Sequence, residues 1–514
     1  MRSGMMRPGP RSGAGNRRLL VGVLAACFLA SLVGPRAVEG ADPFMVVVLP
    51  DTQNYSQSYP ATFTAQTQWI VDNTATENIL FVTHLGDIVQ NWNNLGEWAN
   101  AKTSMNILDA ADMPYGTVMG NHDGRSTYPT NYLDNFGPQH YSGESWYGGA
   151  SPSGLSSYQI ISAGGMTFLF LHVQIDTPQV ELDWAQGVLD QHRDKPVVFS
   201  THRYLQDFRV MQGRYTRYDY PGFDDYYEPN WVMSEDLFQD FVKTNKNIFV
   251  VLCGHCAGQY HQVSQNEWGL PVYEILQDFD SFTPNGGDGW MRLLTFDTDA
   301  NQIDVDMYSP TLGRFRADGP KGTHEDFLNT LWIIENHPEV VAAISYFLER
   351  EDPNLDAEAY FQWLMENDGQ NLWNVSYADG QRDGSFAISV DFEAYLDYKL
   401  TIGYVNPSWG HVDLAPEPND ANLPEYPARS TVTLAAVPND GKTFAEWRIY
   451  DPNHPGDGNY AVVDANDTIT IEMDANREVT AVFKCGSGMG IGPPLSLIGL
   501  GVFGLVFRSS RRRE

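Results

Sequence analysis

Five short motifs of carboxylate, amide and imidazole side chains are the part of this sequence best suited to chemistry. In chain order they are Asp51-Thr52-Gln53, Gly86-Asp87, Gly120-Asn121-His122-Asp123, Thr201-His202 and Gly254-His255. Oxygen and imidazole nitrogen atoms are common protein ligands of divalent metal ions. A pair of such ions about 3.5 to 4 Å apart, clamped by shared ligands, serves hydrolytic displacement at phosphorus. The residue types therefore indicate a metal-dependent hydrolytic site.

Each motif follows an apolar run that is typical of a buried strand. The predicted strands of this region span residues 44–49, 79–83, 115–119, 166–173, 197–200 and 248–252. Helical patterns at 63–73 and 98–110 alternate with them, which predicts an α/β or α+β sandwich. In open sheets, ligands gather outside the carboxyl ends of strands, so motifs nearly 200 residues apart can converge on one site.

Taken in order, the five motifs resemble the calcineurin-like metallophosphoesterase family, whose pattern is Asp-x-His, Gly-Asp, Gly-Asn-His-Asp/Glu, a strand-end His and Gly-His-x-His. The resemblance covers residues 41–317. It implies an α/β (α+β) four-layer sandwich of two mixed sheets flanked by helices. It also implies two divalent metal ions (Mn, Fe, Zn or Mg) and hydrolysis of a small phosphorylated substrate, a monoester or a diester, by a metal-bound hydroxide.

The resemblance also implies a role for each side chain. Asp51 binds the first metal together with Gln53, and Asp87 bridges both ions. The second ion is held by Asn121, His202 and His255. In the same scheme His122 protonates the leaving oxygen or stabilises the phosphoryl group, and Asp123 orients the ring of His122.

Two positions depart from the family pattern, and both concern the first metal. Gln53 and Ala257 stand where the pattern has histidine. An oxygen-rich first site suits a hard ion such as Mn²⁺ or Mg²⁺ better than Zn²⁺. A subset of the family carries Gln at this position, and His261 is a candidate replacement for the second missing ligand. Loss of both histidines leaves an alternative open, a catalytically inactive cell-surface metal-binding or adhesion scaffold.

Arginines and tyrosines alternate in the segment that follows His202. The arginines are Arg203, Arg209, Arg214 and Arg217. Four arginines beside a metal site in an acidic protein are suited to clamping a phosphate group, and tyrosines can stack on a base or a sugar. The alternative is a surface loop whose arginines pair with its own Asp224 and Asp225.

The net charge and the charges at the two termini indicate which partners the protein can bind and where it is located. The formal net charge of −33 argues against stable nucleic-acid binding. Arg17 and Arg18 precede an apolar stretch and small residues, so residues 1–40 are predicted to be a signal peptide. Residues 485–514 resemble a bacterial sorting tail or membrane anchor, with an apolar run before an arginine cluster. An exported protein at the cell surface or in the periplasm, attached through its C-terminus, is expected.

The rest of the chain divides into two further predicted regions. Residues 318–396 show apolar residues at helical spacing. Residues 397–484 show alternating strand patterns at 431–434, 468–471 and 479–483, which predict a small antiparallel β domain. That order resembles the β-grasp-like repeat of bacterial surface proteins. Cys253-Gly254-His255-Cys256 matches a thiol-exchange tetrapeptide, but it is followed by a strand pattern instead of a helix, which favours a disulfide or two reduced thiols.

Overall fold

The computed structural model describes residues 41–208, 211–214, 231–256, 258–280, 284–315, 385–418, 424–450 and 460–485. The predicted signal peptide, nearly all of the predicted tail and residues 316–384 of the predicted helical region lie outside these residues, as do Arg209 and Arg217. Among the described residues, no helix is long and apolar enough to cross a membrane.

Strands dominate the described residues. They are β1 (Phe44–Leu49), β2 (Ile79–His84), β3 (Tyr115–Thr117), β4 (Tyr147–Ala150), β5 (Ser157–Ala163), β6 (Met166–His172), β7 (Val197–Ser200), β8 (Leu205–Phe208), β9 (Met211–Arg214), β10 (Ile248–Cys253), β11 (Gly258–Gln265), β12 (Pro271–Asp278), β13 (Met291–Asp297), β14 (Gln302–Ser309), β15 (Arg314–Phe315), β16 (Phe386–Ser389), β17 (Asp397–Val405), β18 (Gly410–Ala415), β19 (Glu425–Pro427), β20 (Thr431–Pro438), β21 (Lys442–Tyr450), β22 (Tyr460–Asp464), β23 (Thr468–Glu472) and β24 (Arg477–Cys485).

The helices lie mainly between strands of the first half. They are α1 (Gln53–Ser58), α2 (Pro60–Asn73), α3 (Leu95–Ala110), α4 (Thr130–Phe136), α5 (Gln179–Gln191) and α6 (Ser234–Leu237), which continues as a π-helical turn over Phe238–Val242. Short 3₁₀ turns span Phe392–Tyr395 and Pro407–Trp409.

Two mixed sheets form the body of the first domain. In the first sheet the order is β15-β14-β13-β1-β2-β3, with β16 added on β14. In the second sheet the order is β11-β12-β10-β7-β6-β5-β4. The neighbours β1, β2 and β3 run parallel, and so do β12, β10, β7 and β6. The carboxyl ends of seven parallel strands are therefore available to carry a site.

Burial of both faces explains the apolar strand sequences. One core lies between the two sheets and contains Phe81, Phe170 and Phe249. A second core packs α2 and α3 on the outer face of the first sheet, and a third packs α5 and α6 on the second sheet. Because both faces of β1 and β10 are covered, all six residues of each strand are buried. The predicted sandwich of two mixed sheets flanked by helices is confirmed.

The predicted elements agree closely with the observed ones, with one exception near residue 390. The strands predicted at 44–49 and 197–200 match β1 and β7 at both ends. Residues 386–396, by contrast, were assigned to the helical region and instead belong to the first domain. The strand β16 pairs with β14, and Phe392 and Tyr395 pack in the core between the sheets. The apolar residues of this segment are buried by an edge strand, Phe386–Ser389, and a 3₁₀ turn, Phe392–Tyr395, and not by a helix.

The C-terminal β domain has two facing sheets, of order β19-β17-β24-β21-β22 and β18-β20-β23. Trp447, Val432 and Phe483 are buried between them. The prediction of a purely antiparallel domain is wrong at one pair, because β17 and β24 run parallel. Most of the domain lies between these two strands in sequence, so a parallel crossover replaces the hairpin that neighbouring strands would form.

His172 is a structural histidine, and this gives a test of the fold. Its ring is fully buried and hydrogen-bonds to Thr83 Oγ1 at 2.7 Å, and burial lowers its pKa to about 3. The unfolded chain protonates this ring near pH 6.5, whereas the folded chain does not, so stability is lost as the pH falls below about 6.5.

The free energy of unfolding of the wild type should fall when the pH drops from about 7 to about 5. In His172→Gln we expect this fall to be smaller by about 2 kcal/mol, because the ring that titrates is absent. Urea unfolding at both pH values measures the difference, and His411→Gln, an exposed position in the β domain, is the control. An identical pH dependence in wild type and His172→Gln would contradict a neutral buried ring.

Candidate metal centre

The fold brings five predicted ligands to one place. Asp51, Asp87, Asn121, His202 and His255 each follow the carboxyl end of a parallel strand, β1, β2, β3, β7 and β10 in turn. The ligand atoms of Asp87, His202 and His255 lie within 4.8 Å of one another. Asp51 joins them because its Oδ2 accepts a hydrogen bond of 2.8 Å from the backbone N–H of His255. Both sheets therefore contribute to the site.

His202 meets Asp87 and Asn121 at one end of the two sheets. Its Nδ1 donates to the carbonyl of Leu85 at 2.8 Å, so Nε2 is the atom that faces Asp87 and Asn121. Asp87 Oδ2 lies 3.0 Å from Nε2, and Asn121 Oδ1 lies 3.2 Å from it. A buried carboxylate, an amide oxygen and an imidazole nitrogen this close together are ligands that one cation can bind. The donor set of two oxygens and one imidazole nitrogen fits a divalent metal ion.

Asp51 and Gln53 present two further oxygens at this end of β1. Asp51 is 1% exposed and Gln53 is 8% exposed, and neither Asp51 Oδ1 nor Gln53 Oε1 has a hydrogen-bond partner. Burial raises the pKa of Asp51 well above its usual value, and the charges of Asp278 and Asp87 raise it further. Buried oxygens of this kind are stabilised by a cation.

The glycines of the motifs allow the carboxylates to approach the backbone closely. A Cβ on Gly120 would lie 2.2 Å from Asp87 Oδ1, and a Cβ on Gly254 would lie 2.1 Å from Asp51 Oδ1. Asp87 and His255 themselves adopt positive φ angles of 47° and 68°. Such backbone costs about 1 to 3 kcal/mol per residue and is found mostly at functional sites.

His122 and Asp123 are both at the site, but their predicted relation is wrong. Asp123 Oδ1 accepts hydrogen bonds from the backbone N–H groups of Ile88 and Val89, and its Oδ2 accepts one from Gly120. Its carboxylate is thus occupied in tying the loop after β2 to the loop after β3. The His122 ring is oriented by the carbonyl of Gln90 instead, at 2.8 Å from Nδ1.

The arginines after His202 serve different purposes. Arg203 is buried beside the site, where it pairs with both carboxylate oxygens of Asp176 and donates to His255 Nε2 at 3.0 Å. Its role as a substrate ligand stays a prediction. Arg214 points elsewhere: it forms ion pairs of 2.7 Å with Glu235 and with the fully buried Glu274. These carboxylates neutralise Arg214, so the assignment of this residue to the substrate is withdrawn.

Other candidate ligands are structural. His84 bonds to Thr52 Oγ1 at 2.9 Å inside the sheet, and burial lowers its pKa to about 3. His261 stacks on Phe386 with ring centroids 4.0 Å apart, which corrects its assignment as a replacement metal ligand. Cys253 and Cys256 are both buried, and neither forms a disulfide.

Two acidic residues at the site were missed by sequence analysis. Asp278 ends β12, the parallel neighbour of β10, and Asp280 follows two residues later. Both are at most 3% exposed, and their charges act on Asp51. The rule that identified the other five motifs, a polar side chain directly after a buried apolar strand, also applies to Pro271–Asp278.

The Arg214 ion pairs can be tested by stability. Arg214→Met leaves the carboxylate of Glu274 buried without its partner, so we expect the free energy of unfolding to fall by about 3 to 5 kcal/mol. Metal content per folded chain should not change. The control is Arg193→Met, whose half-exposed ion pairs with Asp190 and Glu425 should cost less than about 1 kcal/mol. A weakened affinity for phosphoester with unchanged stability would restore Arg214 to the substrate site.

Comparison with known proteins identifies two segments of the chain. Residues 44–257 match the family model described as Calcineurin-like phosphoesterase, and residues 420–487 match the Divergent InlB B-repeat domain. A curated relative, the uncharacterized protein YvnB of Bacillus subtilis (strain 168), is 30% identical over 310 residues. The match covers 57% of this chain and 22% of YvnB, so the chain spans about a fifth of the length of that relative.

Solved structures with a similar fold include a dimetal phosphatase from Danio rerio, 13% identical with a TM-score of 0.36, over 52% of this chain and 97% of that one. Another is purple acid phosphatase PPD1 from yellow lupin (Lupinus luteus), 15% identical with a TM-score of 0.34, over 54% of this chain and 53% of that one. By these matches, residues 44–257 are similar to calcineurin-like phosphoesterases, and residues 420–487 are similar to the divergent InlB B-repeat domain.

Proposed function

We propose that the protein is a metal-dependent phosphoester hydrolase. The observation that carries this proposal is the meeting of two ligand-type oxygens at one nitrogen of His202. Nε2 lies 3.0 Å from Asp87 Oδ2 and 3.2 Å from Asn121 Oδ1, while Nδ1 donates to the carbonyl of Leu85. Asp51 Oδ1 and Gln53 Oε1 are also buried and have no hydrogen-bond partner, which costs free energy unless a cation binds them. The match to the phosphoesterase family model supports the same conclusion.

Divalent ions, when bound here, supply the positive charge that polarises a phosphoryl oxygen and lowers the pKa of a water molecule. The protein supplies the geometry. Leu85 fixes the tautomer of His202, and the backbone N–H of His122 holds Asp87 through its Oδ1 at 2.8 Å. Asp87 Oδ2 lies 3.0 Å from His202 Nε2, so these two atoms would hold a divalent ion together.

His122 is placed to act as the general acid for the leaving oxygen. Its Nδ1 is held by the carbonyl of Gln90, so the ring has one orientation and Nε2 is the atom that exchanges a proton with substrate. Burial lowers the pKa of His122, but the charge of Asp87 and the Gln90 carbonyl outweigh this and the pKa is raised overall. The residue is half-buried, which leaves its edge accessible to a substrate.

The location and partners of the enzyme are also proposals. A small phosphorylated substrate outside the cytoplasm, with attachment at the cell surface or retention in the periplasm through the C-terminus, is supported by the basic and apolar character of residues 1–40 and 485–514. The B-repeat match at residues 420–487 supports a surface setting. The net charge of −33 disfavours nucleic acid as a stable partner.

The hydrolase proposal predicts that two substitutions separate binding from chemistry. Asp87→Asn removes the bridging charge and should lower kcat/KM by at least about 100-fold, with loss of bound metal. His122→Ala should lower kcat by about 10² to 10⁴-fold and retain the metal, because it removes only the proton donor. Aryl phosphate monoesters and diesters with added Mn²⁺ provide the assay.

Matched controls are Asp72→Asn on α2, whose carboxylate accepts from Gln68, and His411→Ala in the β domain. Full activity in Asp87→Asn would overturn the hydrolase. Wild-type protein that binds metal and turns over none of these esters would favour the scaffold alternative instead.

A further inference from the structure

The carboxyl end of β12 adds a feature that the five motifs do not contain. β12 lies beside β10 in the second sheet, so Asp278 and Asp280 emerge next to the loop that carries His255. Asp278 Oδ1 accepts a hydrogen bond of 2.9 Å from the backbone N–H of Asp280. This contact fixes the backbone of Asp280 and holds the two carboxyl groups near each other.

Asp280 is also tied to the motif at the end of β1. Asn54, the residue directly after Gln53, donates from Nδ2 to Asp280 Oδ2 at 3.2 Å and to the Asp280 carbonyl at 3.0 Å. These two bonds cross 226 positions of sequence. These bonds hold Asp280 against the first turn of α1, the helix that begins at Gln53.

Asp280 is as deeply buried as the other acidic residues of the site. Asp51, Asp278 and Asp280 are each at most 3% exposed. A buried carboxyl group is stabilised by hydrogen bonds, by protonation or by a cation.

An independent observation points to a cation. Asp51 Oδ1 and Gln53 Oε1 are buried and have no hydrogen-bond partner. A hard divalent ion takes up to six or more oxygen ligands and would use both orphaned atoms.

We propose that Asp280 is a ligand of the first metal and completes, with Asp51, Gln53 and the bridging Asp87, a site made of oxygen ligands alone. Asp278 is a positioning residue that holds Asp280. This inference rests on the proposed metal-dependent hydrolase and names the ligand that takes the place of the absent histidine at Ala257. The first site therefore takes Mn²⁺ or Mg²⁺, while imidazoles at the second site also accept Zn²⁺.

Metal counting on the full chain tests the ligand assignment without an activity measurement. After equilibration with Mn²⁺ and desalting, the wild type should hold two ions and Asp280→Asn one. Asp288→Asn is the matched control, since that carboxylate lies eight residues further along and accepts from Asn285. Circular dichroism verifies that the variants are folded. Two ions retained with unchanged affinity in folded Asp280→Asn would overturn the proposal.

Two further variants ask whether Asp280 contacts the ion or only supports the fold. Asp280→His should keep two ions but shift the relative affinity from Mn²⁺ towards Zn²⁺ by at least about 10-fold, because imidazole is the softer ligand. Asp278→Asn should weaken binding of the first ion by about 10- to 100-fold, as expected for a supporting residue. An unchanged Zn²⁺ to Mn²⁺ preference in Asp280→His counts against direct contact.

Crystals of the wild type soaked in Mn²⁺ give an answer that does not depend on any variant. An anomalous peak within about 2.5 Å of an Asp280 carboxylate oxygen supports the proposal. Two peaks that are both distant from Asp280 overturn it and leave the hydrolase intact. No peak beside Asp87 and His202 would overturn the proposed hydrolase itself.

Discussion

Burial of several polar and charged side chains at one end of both sheets is the constraint on which this structure depends. His202 contacts Asp87 and Asn121 there, and Asp51 Oδ1 and Gln53 Oε1 are buried without a hydrogen-bond partner. Folding alone does not favour the last two, because each buried polar atom without a partner costs free energy. The rest of the domain can be understood as the framework that holds these side chains together.

The framework works largely through the backbone. Asp123 binds three backbone N–H groups and so locks two ligand-bearing loops together, while Leu85 and Gln90 use their carbonyls to set the rings of His202 and His122. The ligands are thus oriented before an ion arrives. This lowers the entropic cost of forming the site and explains why the loops tolerate positive φ angles at Asp87 and His255.

Much of the first domain was predictable because burial on two faces leaves a strong signal in sequence. Strands such as Val197–Ser200 are continuous apolar runs, and polar residues directly after such runs have few structural explanations when five occur in order. Contacts between distant side chains leave no such signal. Only the structure shows that Arg214 pairs with Glu235 and Glu274, which lie 21 and 60 residues away in sequence. The same holds for the hydrogen bonds that Asp123 accepts from backbone N–H groups. Likewise, the strand β16 could not be assigned to the first sheet from sequence, because its pairs are distant along the chain: Phe386 pairs with Val305 and Ser389 with Gln302.

The site joins two halves of the molecule, and this has a thermodynamic consequence. Asp87 and Asn121 extend from the first sheet, whereas His202 and His255 extend from the second. Any ion that binds all four ligands binds the folded arrangement and not the unfolded chain, so its binding free energy adds to the stability of the sandwich. The core between the sheets is apolar and holds the two layers face to face, but it does not specify how their ends are aligned at the loops. Alignment at that end is set by the hydrogen bonds that cross between loops, such as His255 N–H to Asp51 and His202 to the Leu85 carbonyl.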